Sequence, residues 1–259
     1  MGLRDKLKAR DDKAQAEKAL RGEGNDLPEG VKRYVSLGRE LKDGREFVII
    51  ADPDNWFAYY VHEDGDFATR TDFIQKHTCL HSPKLAGVDF EEFDKPNSSV
   101  CLTCKAMKSP KYQRKLYFVV PVYDVQYGTY RFLDLKEFHV NNIVTDYDKL
   151  EKAARKFNKE YTLVGDAVVI KKKDKTYSLE SADTDGLEQA IEDAKKYTGI
   201  SFDFAEQVNF RDEASIREII GKADGDKFDK SVLDGLPAIE PKAENVGAPI
   251  DISDDDLPF

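Results

Sequence analysis

Three cysteines carry the most specific chemistry in this 259-residue chain, and all of them fall in two short stretches. Cys79 lies in "HTCLHS", and Cys101 and Cys104 close "SSVCLTC". The two-residue gap lets Cys101 and Cys104 face one metal ion from a tight turn, and Cys79 is a third donor of the same softness. A tetrahedral site needs a fourth. His62 ends the run "WFAYYVH", while His77 and His81 each stand two residues from Cys79 and would share its face on an extended strand; His139 is far downstream. Spacing leaves His62, His77 and His81 open. An odd cysteine count suits a metal better than a disulfide, which would leave one thiol over; three ordinary thiols is the plain alternative. Three thiolates and an imidazole fill a tetrahedral sphere, so the site is expected to be structural. A catalytic zinc fits less well: Glu63 directly follows His62 instead of standing two residues on, Val100 rather than proline precedes the knuckle, and no H-E-x-x-H occurs.

The elements that must position these residues read as mainly β with peripheral helices, an α+β class. "REFVIIAD" and "WFAYYVH", joined by "DPDN", predict a hairpin. "KLYFVVPVYDV" is a strand whose Pro121 suggests an edge or a bulge, and "GTYRFLDL" is its partner after Gly128. "EFHVNNIV" reads as a further short strand. Helices are expected over 3–20, over 145–158 with Leu150, Ala154 and Phe157 inward, over "TDGLEQAIEDAKKYTG", and over "DEASIREIIGK" with Ile216, Ile219 and Ile220 inward. "DAVVIKKKDKTYSLE" is a second hairpin. From about Gly225 periodicity is lost, which predicts a linker and a disordered tail. The expected division is an N-terminal helical arm over 1–30, a core with the metal site over 31–144, helices plus a hairpin completing it over 145–222, and an acidic tail over 223–259.

The chain is 40% hydrophobic and 35% charged, with a net charge of -10. No apolar run approaches the roughly 20 residues of a membrane span, and "MGLRDKLKAR" lacks the apolar stretch of a secretory leader, so a soluble cytosolic protein without membrane contact is expected. The acidic average conceals segregation. "KAMKSPKYQRK" carries Lys105, Lys108, Lys111, Arg114 and Lys115 and no acid, whereas every charged residue in "DISDDDLPF" is an acid.

"YYVHEDG…HTCLHS…SSVCLTC…KYQRKLYFVVPVYD" resembles the core of the single-stranded DNA-binding, helix-destabilising proteins of the T-even phages and their distant phage relatives. The resemblance covers about residues 45 to 135. It implies an OB-fold core with a zinc-binding subdomain. It also implies one structural Zn²⁺ held by His62, Cys79, Cys101 and Cys104. The insert between Cys79 and Cys101 is longer than the family pattern, which keeps His81 open as a substitute for His62. The implied function is sequence-independent binding of single-stranded DNA in phage DNA replication, recombination and repair, without catalytic activity, in the cytoplasm of a bacterial host. A zinc-dependent nucleic-acid enzyme and a zinc-ribbon RNA-binding or transcription adaptor are the alternatives.

Binding single strands without reading sequence needs cations along the phosphates and rings that stack on bases. Lys105, Lys108, Lys111, Arg114 and Lys115 are the candidate cations. Trp56, Tyr60, Tyr112, Tyr117 and Tyr123 are the candidate rings. On the strand after the knuckle Leu116, Phe118, Val120 and Val122 form the better core face, which would turn Tyr117 and Tyr123 outward; Trp56 and Tyr60 are expected to be exposed on the earlier strand. The same rings could equally be core. "DISDDDLPF" resembles the C-terminal tip of bacterial single-stranded DNA-binding proteins, which docks on replication and repair enzymes. That resemblance assigns Asp254, Asp255, Asp256, Leu257, Pro258 and Phe259 to capture of replication and recombination partners. The N-terminal helix could support self-association on DNA, as the T-even arm does, but it lacks that arm's short basic motif.

Overall fold

Alternating β-branched and aromatic residues form strands because such side chains pack well on a pleated surface. In the computed structural model, which describes residues 27–63, 76–109, 114–208, 210–223 and 225–237, they build one seven-stranded sheet. Its strands are β1 (Arg45–Ile49), β2 (Phe57–Glu63), β3 (Lys76–Thr78), β4 (Arg114–Asp124), β5 (Thr129–Lys136), β6 (Ala167–Lys173) and β7 (Thr176–Ser181). The helices are α1 (Leu37–Glu40), α2 (Leu102–Ala106), α3 (Glu137–Ala154), α4 (Glu188–Ala194), α5 (Phe204–Gln207) and α6 (Glu213–Lys222). The order is β3-β2-β4-β1-β6-β7, with β5 on the other edge of β4, and every strand pairing is antiparallel. The architecture is a mixed α+β fold with a mainly antiparallel sheet.

β4 is the spine. Residues 114–119 pair with β2 and residues 122–124 with β1 along one edge, while 117–124 pair with β5 along the other. β1 and β2 therefore do not form the expected hairpin; they follow one another along β4, linked through the 3-10 turn Pro53–Asn55. Pro121 does not mark an edge strand. It stands between the two ladder segments, where neither β1 nor β2 lies opposite, so its missing N–H interrupts nothing there. The β4–β5 hairpin turns at Gly128 with φ 66, a left-handed value that glycine adopts without a Cβ clash.

The sheet is covered on both faces. Phe47, Ile49, Val120, Val122, Leu133, Leu135, Val168 and Ile170 pack under α3 residues Val140, Ile143 and Tyr147. Their neighbours Val48, Phe57, Tyr59, Tyr117, Val119, Tyr123, Tyr130 and Phe132 meet Phe202 and Phe204 on the other side. Tyr117 and Tyr123, expected to face outward, are thus buried in a second core. "EFHVNNIV" is not a strand but the start of α3, because Val140, Ile143 and Tyr147 recur at helical spacing and bury against the sheet. The helix crosses the expected boundary at 144/145 and ends at Ala154, leaving Phe157 94% exposed rather than inward. Residues 225–237 are not a loose linker: Phe228 is buried, with Val232 and Leu233 packed around it. The N-terminal helix over 3–20 and the tail beyond 237 lie outside the described residues. No described helix is long and apolar enough to cross a membrane.

A buried ion network locks the segment before β1 to the β4–β5 hairpin. Both Asp124 carboxylate oxygens accept from Arg45 at 2.8 Å, and Arg131 donates to Asp124 at 2.9 Å and to Glu40 at 2.6 Å. Arg131 also donates to the Lys32 and Tyr34 carbonyls at 3.0 Å. Burial works against charge on Glu40, but its bonds to Arg131 and to the Ser36 amide outweigh it and hold the carboxyl below its usual range. The stability this pairing adds is therefore present above the ordinary carboxylate range and lost as pH falls through the lowered value. Asp124→Ala would leave two buried guanidiniums short of a counter-charge, and we expect it to cost roughly 3–5 kcal/mol in urea unfolding. A loss under 1 kcal/mol would show that the network contributes little.

Candidate metal centre

His62, Cys79, Cys101 and Cys104 meet at one end of the sheet, all buried, with their donor atoms within 4.8 Å of one another. Each arrives by local structure. His62 is the penultimate residue of β2, opposite Arg114 on β4 and His77 on β3. Cys79 follows β3, and its N–H donates to the Tyr60 carbonyl at 2.8 Å. Cys101 caps α2, and Cys104 sits three residues on, one helical turn away on the same side. The knuckle is thus a helix start rather than a free turn. Behind it Ala106 and Met107 pack on Ile216, Ile219 and Ile220 of α6 and on Phe228.

The Nε2 atom of His62 lies 3.5 Å from Cys101 Sγ and 3.7 Å from Cys104 Sγ, and Cys79 Sγ lies 3.5 Å from Cys104 Sγ. No disulfide forms. The Nδ1 atom of His62 is buried and has no hydrogen-bond partner among the described residues, so this ring turns its other nitrogen to the thiols alone. Hydrogen bonds from Cys104 and Cys79, with help from His62, hold the Cys101 thiol far below its usual range. The same sharing pushes Cys79 well above that range, through Cys101 and Cys104, and takes Cys104 up to about 12, chiefly through Cys101. Three thiols and one imidazole converging on one buried point suit a metal ion.

The structure brings together the ligand set that includes His62. His77 points instead to Thr103, with Nε2 2.9 Å from Oγ1, and burial together with neighbouring His62 pushes it down to about 3. His81 packs its ring on Phe93 and is not among the four converging donors.

Several residues expected to contact DNA hold the site's scaffold instead. Tyr60 is buried; its hydroxyl bonds the Phe90 carbonyl at 3.2 Å and Asp94. Arg114 is half-buried, donating to the Phe93 carbonyl at 2.6 Å and the His81 carbonyl at 2.8 Å, with its guanidinium 4.1 Å from the Tyr60 ring centre. Together they staple the long insert between Cys79 and Cys101. Trp56 is buried and donates to the Ala51 carbonyl at 3.1 Å. Tyr123 packs on Tyr197. None of Trp56, Tyr60, Tyr117 and Tyr123 presents an open ring. Lys105, Lys108 and Lys115 are exposed. Lys111, Tyr112 and the tip residues 254–259 lie outside the described residues.

Beside the centre runs a groove of about 200 Å³ that sequence reasoning missed. It is lined by Tyr34, Tyr59, Lys76 and Arg211, among others, with His77 linking it to the metal end. Lys76 lies 4.1 Å above the Tyr117 ring and pairs with Asp134. Neither Lys76 nor Arg211 belongs to a basic run, so only the register of β3 on β2 and the placing of Gln207, Val208 and Arg211 along the groove bring them here.

No protein-family model, curated protein or solved structure matches the chain, so the site's own geometry carries its interpretation.

Elemental analysis of the purified protein should find one metal ion per chain. His62→Ala and Cys79→Ser should lose it, whereas His77→Ala and His81→Ala should keep it. Retention by His62→Ala with loss in His81→Ala would overturn the ligand set.

Proposed function

We propose that the chain is a sequence-independent single-stranded DNA-binding protein whose core is held by one structural zinc ion. Zinc is supported by the donor set and its spacing. Tetrahedral zinc with bonds near 2.3 Å to sulfur and 2.0–2.1 Å to nitrogen sets its donors about 3.5–3.8 Å apart. Three of the donor pairs here measure 3.5, 3.5 and 3.7 Å, and all four donors lie within 4.8 Å of one another. Three cysteines and one histidine leave no open position for a reacting water, which favours a structural ion. Bound there, zinc would tie β2, the end of β3 and α2 together.

The reading of the core as an OB-fold is supported by connectivity. β1, β4, β5, α3, β6 and β7 follow in chain order, with β1 between β4 and β6 and with β4–β5 and β6–β7 as hairpins. β2, β3 and the metal centre form an insertion between β1 and β4. OB-folds bind oligonucleotides across such a sheet.

The observation that carries the DNA reading is the groove. It sets two cations for the phosphates, Lys76 and Arg211, beside the half-buried ring of Tyr34, with Asp134, the partner of Lys76, and the edge of the core residue Tyr59 completing its wall. Exposed Lys105, Lys108 and Lys115 extend the positive surface around the metal end. The T-even-like run of His62, Cys79 and the Cys101–Cys104 knuckle points the same way. The acidic tip, Asp254–Phe259, offers three side-chain carboxylates and one aromatic ring to a basic-rimmed pocket on replication or recombination enzymes.

Titration with single- and double-stranded oligonucleotides of equal length tests the function. Single strands should bind more tightly, and affinity should fall with salt as phosphate counterions are released. Lys76→Gln with Arg211→Gln should weaken binding to all sequences and flatten the salt slope by about 0.7 per lost phosphate contact. Equal affinity for duplex would sink the reading. Chelation should unfold the core, visible as loss of the near-ultraviolet aromatic signal. Deleting residues 251–259 should leave DNA binding intact and abolish pull-down of replication enzymes; unchanged recovery would reduce the tail to a solubilising arm.

A further inference from the structure

The groove lies at the β3–β2 end of the sheet, and a second concentration of charge lies at the other end. The β6–β7 hairpin carries Lys171, Lys172, Lys173 and Lys175, all exposed. Among the described residues none of these four side chains makes an ion pair, hydrogen bond or ring contact. Asp174, in the turn with φ 53, is the one acid between 171 and 179. In a chain of net charge -10, four lysines against one acid within five residues are a marked local reversal.

Strand alternation spreads them over both faces of the tip. Lys172 continues the side of Val168 and Ile170, which pack under α3, while Lys171 and Lys173 continue the side of Ala167 and Val169. On the α3 side an exposed ring stands beside them. Phe138, the second residue of α3, is 61% exposed. Its helix turn is pinned to the hairpin: Asn142 donates to Thr176 Oγ1 at 3.0 Å and to the Phe138 carbonyl at 2.8 Å. The His139 ring sits edge-on to Tyr177, centroids 5.0 Å apart, and Tyr177 is the cross-strand partner of Lys172. A lone exposed phenylalanine means little. One held on the Lys172 side of a hairpin tip that carries four exposed lysines has the composition that single-stranded nucleic acid selects, flat ring and cations together.

We propose that the β6–β7 hairpin tip and Phe138 form a second contact surface for single-stranded nucleic acid. Lys171, Lys172, Lys173 and Lys175 meet the phosphodiester backbone, and a base stacks on Phe138. The proposal rests on the single-stranded DNA reading and adds a site remote from the groove. An acidic protein segment is the competing occupant; it would use the lysines but has no need of an open ring.

The test uses the full-length metal-loaded protein and oligothymidine of about 30 nucleotides, longer than the roughly 4–16 covered by one OB-fold. Replacing the four lysines by Gln should weaken binding at least tenfold at low salt and lower the slope of log K against log salt by up to about 3, at about 0.7 per contact. Phe138→Ala should weaken binding about fivefold or more and leave the slope unchanged. Lysine acetylation of the unaltered protein, read by mass spectrometry, gives a measure that needs no variant: oligothymidine should protect Lys171, Lys172, Lys173 and Lys175. If the unaltered protein binds but the hairpin is neither protected nor needed, this second surface is wrong and the groove reading stands. If polyglutamate protects the hairpin and oligothymidine does not, the surface belongs to an acidic protein partner. If the unaltered protein binds no single strand, both readings fall.

Discussion

Backbone pairing along both edges of β4 is the constraint from which the rest of the structure follows. Eleven residues of one strand receive β2 and then β1 on one side and β5 on the other. A strand so enclosed has no solvent edge, and its side chains alternate between two faces that must both be covered. α3 covers one face, and the aromatic group around Phe202 and Phe204 covers the other. The tyrosines of β4 are consumed by that second core. Rings available to a ligand have to be sought away from the spine.

The metal centre is built where three strands end together. β2, β3 and β4 align His62, His77 and Arg114 in one row, so the imidazole ligand, its buried neighbour and the insert-holding guanidinium are fixed by the same register. Four donors from three separate segments would gain from one ion what none gains alone, since they converge only in the folded chain. α6 and Phe228 buttress α2 from behind. The C-terminal part of the described chain therefore supports a site to which it contributes no ligand.

Charge is sorted by depth. Arg131, Asp124, Arg45 and Glu40 pair inside, where an uncompensated ion would be costly. The lysines of the β6–β7 hairpin are left to water. Net charge averages these environments and so says little about where an anionic partner could bind.

The sequence by itself determined what depends on a few neighbouring residues. The donor types and the Cys101–Cys104 gap were legible, as were the β4–β5 and β6–β7 hairpins and the inward Ile216, Ile219 and Ile220 of α6, because periodicity and turn chemistry act within about one turn or strand. The tertiary structure alone decided which histidine joins the thiols, since His62, His77 and His81 differ in register rather than in local pattern. It also decided that β1 and β2 share an edge of β4 instead of pairing, and that Tyr60, Tyr117 and Tyr123 face a core. A strand's alternation marks two faces but does not say that both are covered; that depends on α3 and on residues 202–204, which lie far along the chain and reach the sheet only when it folds.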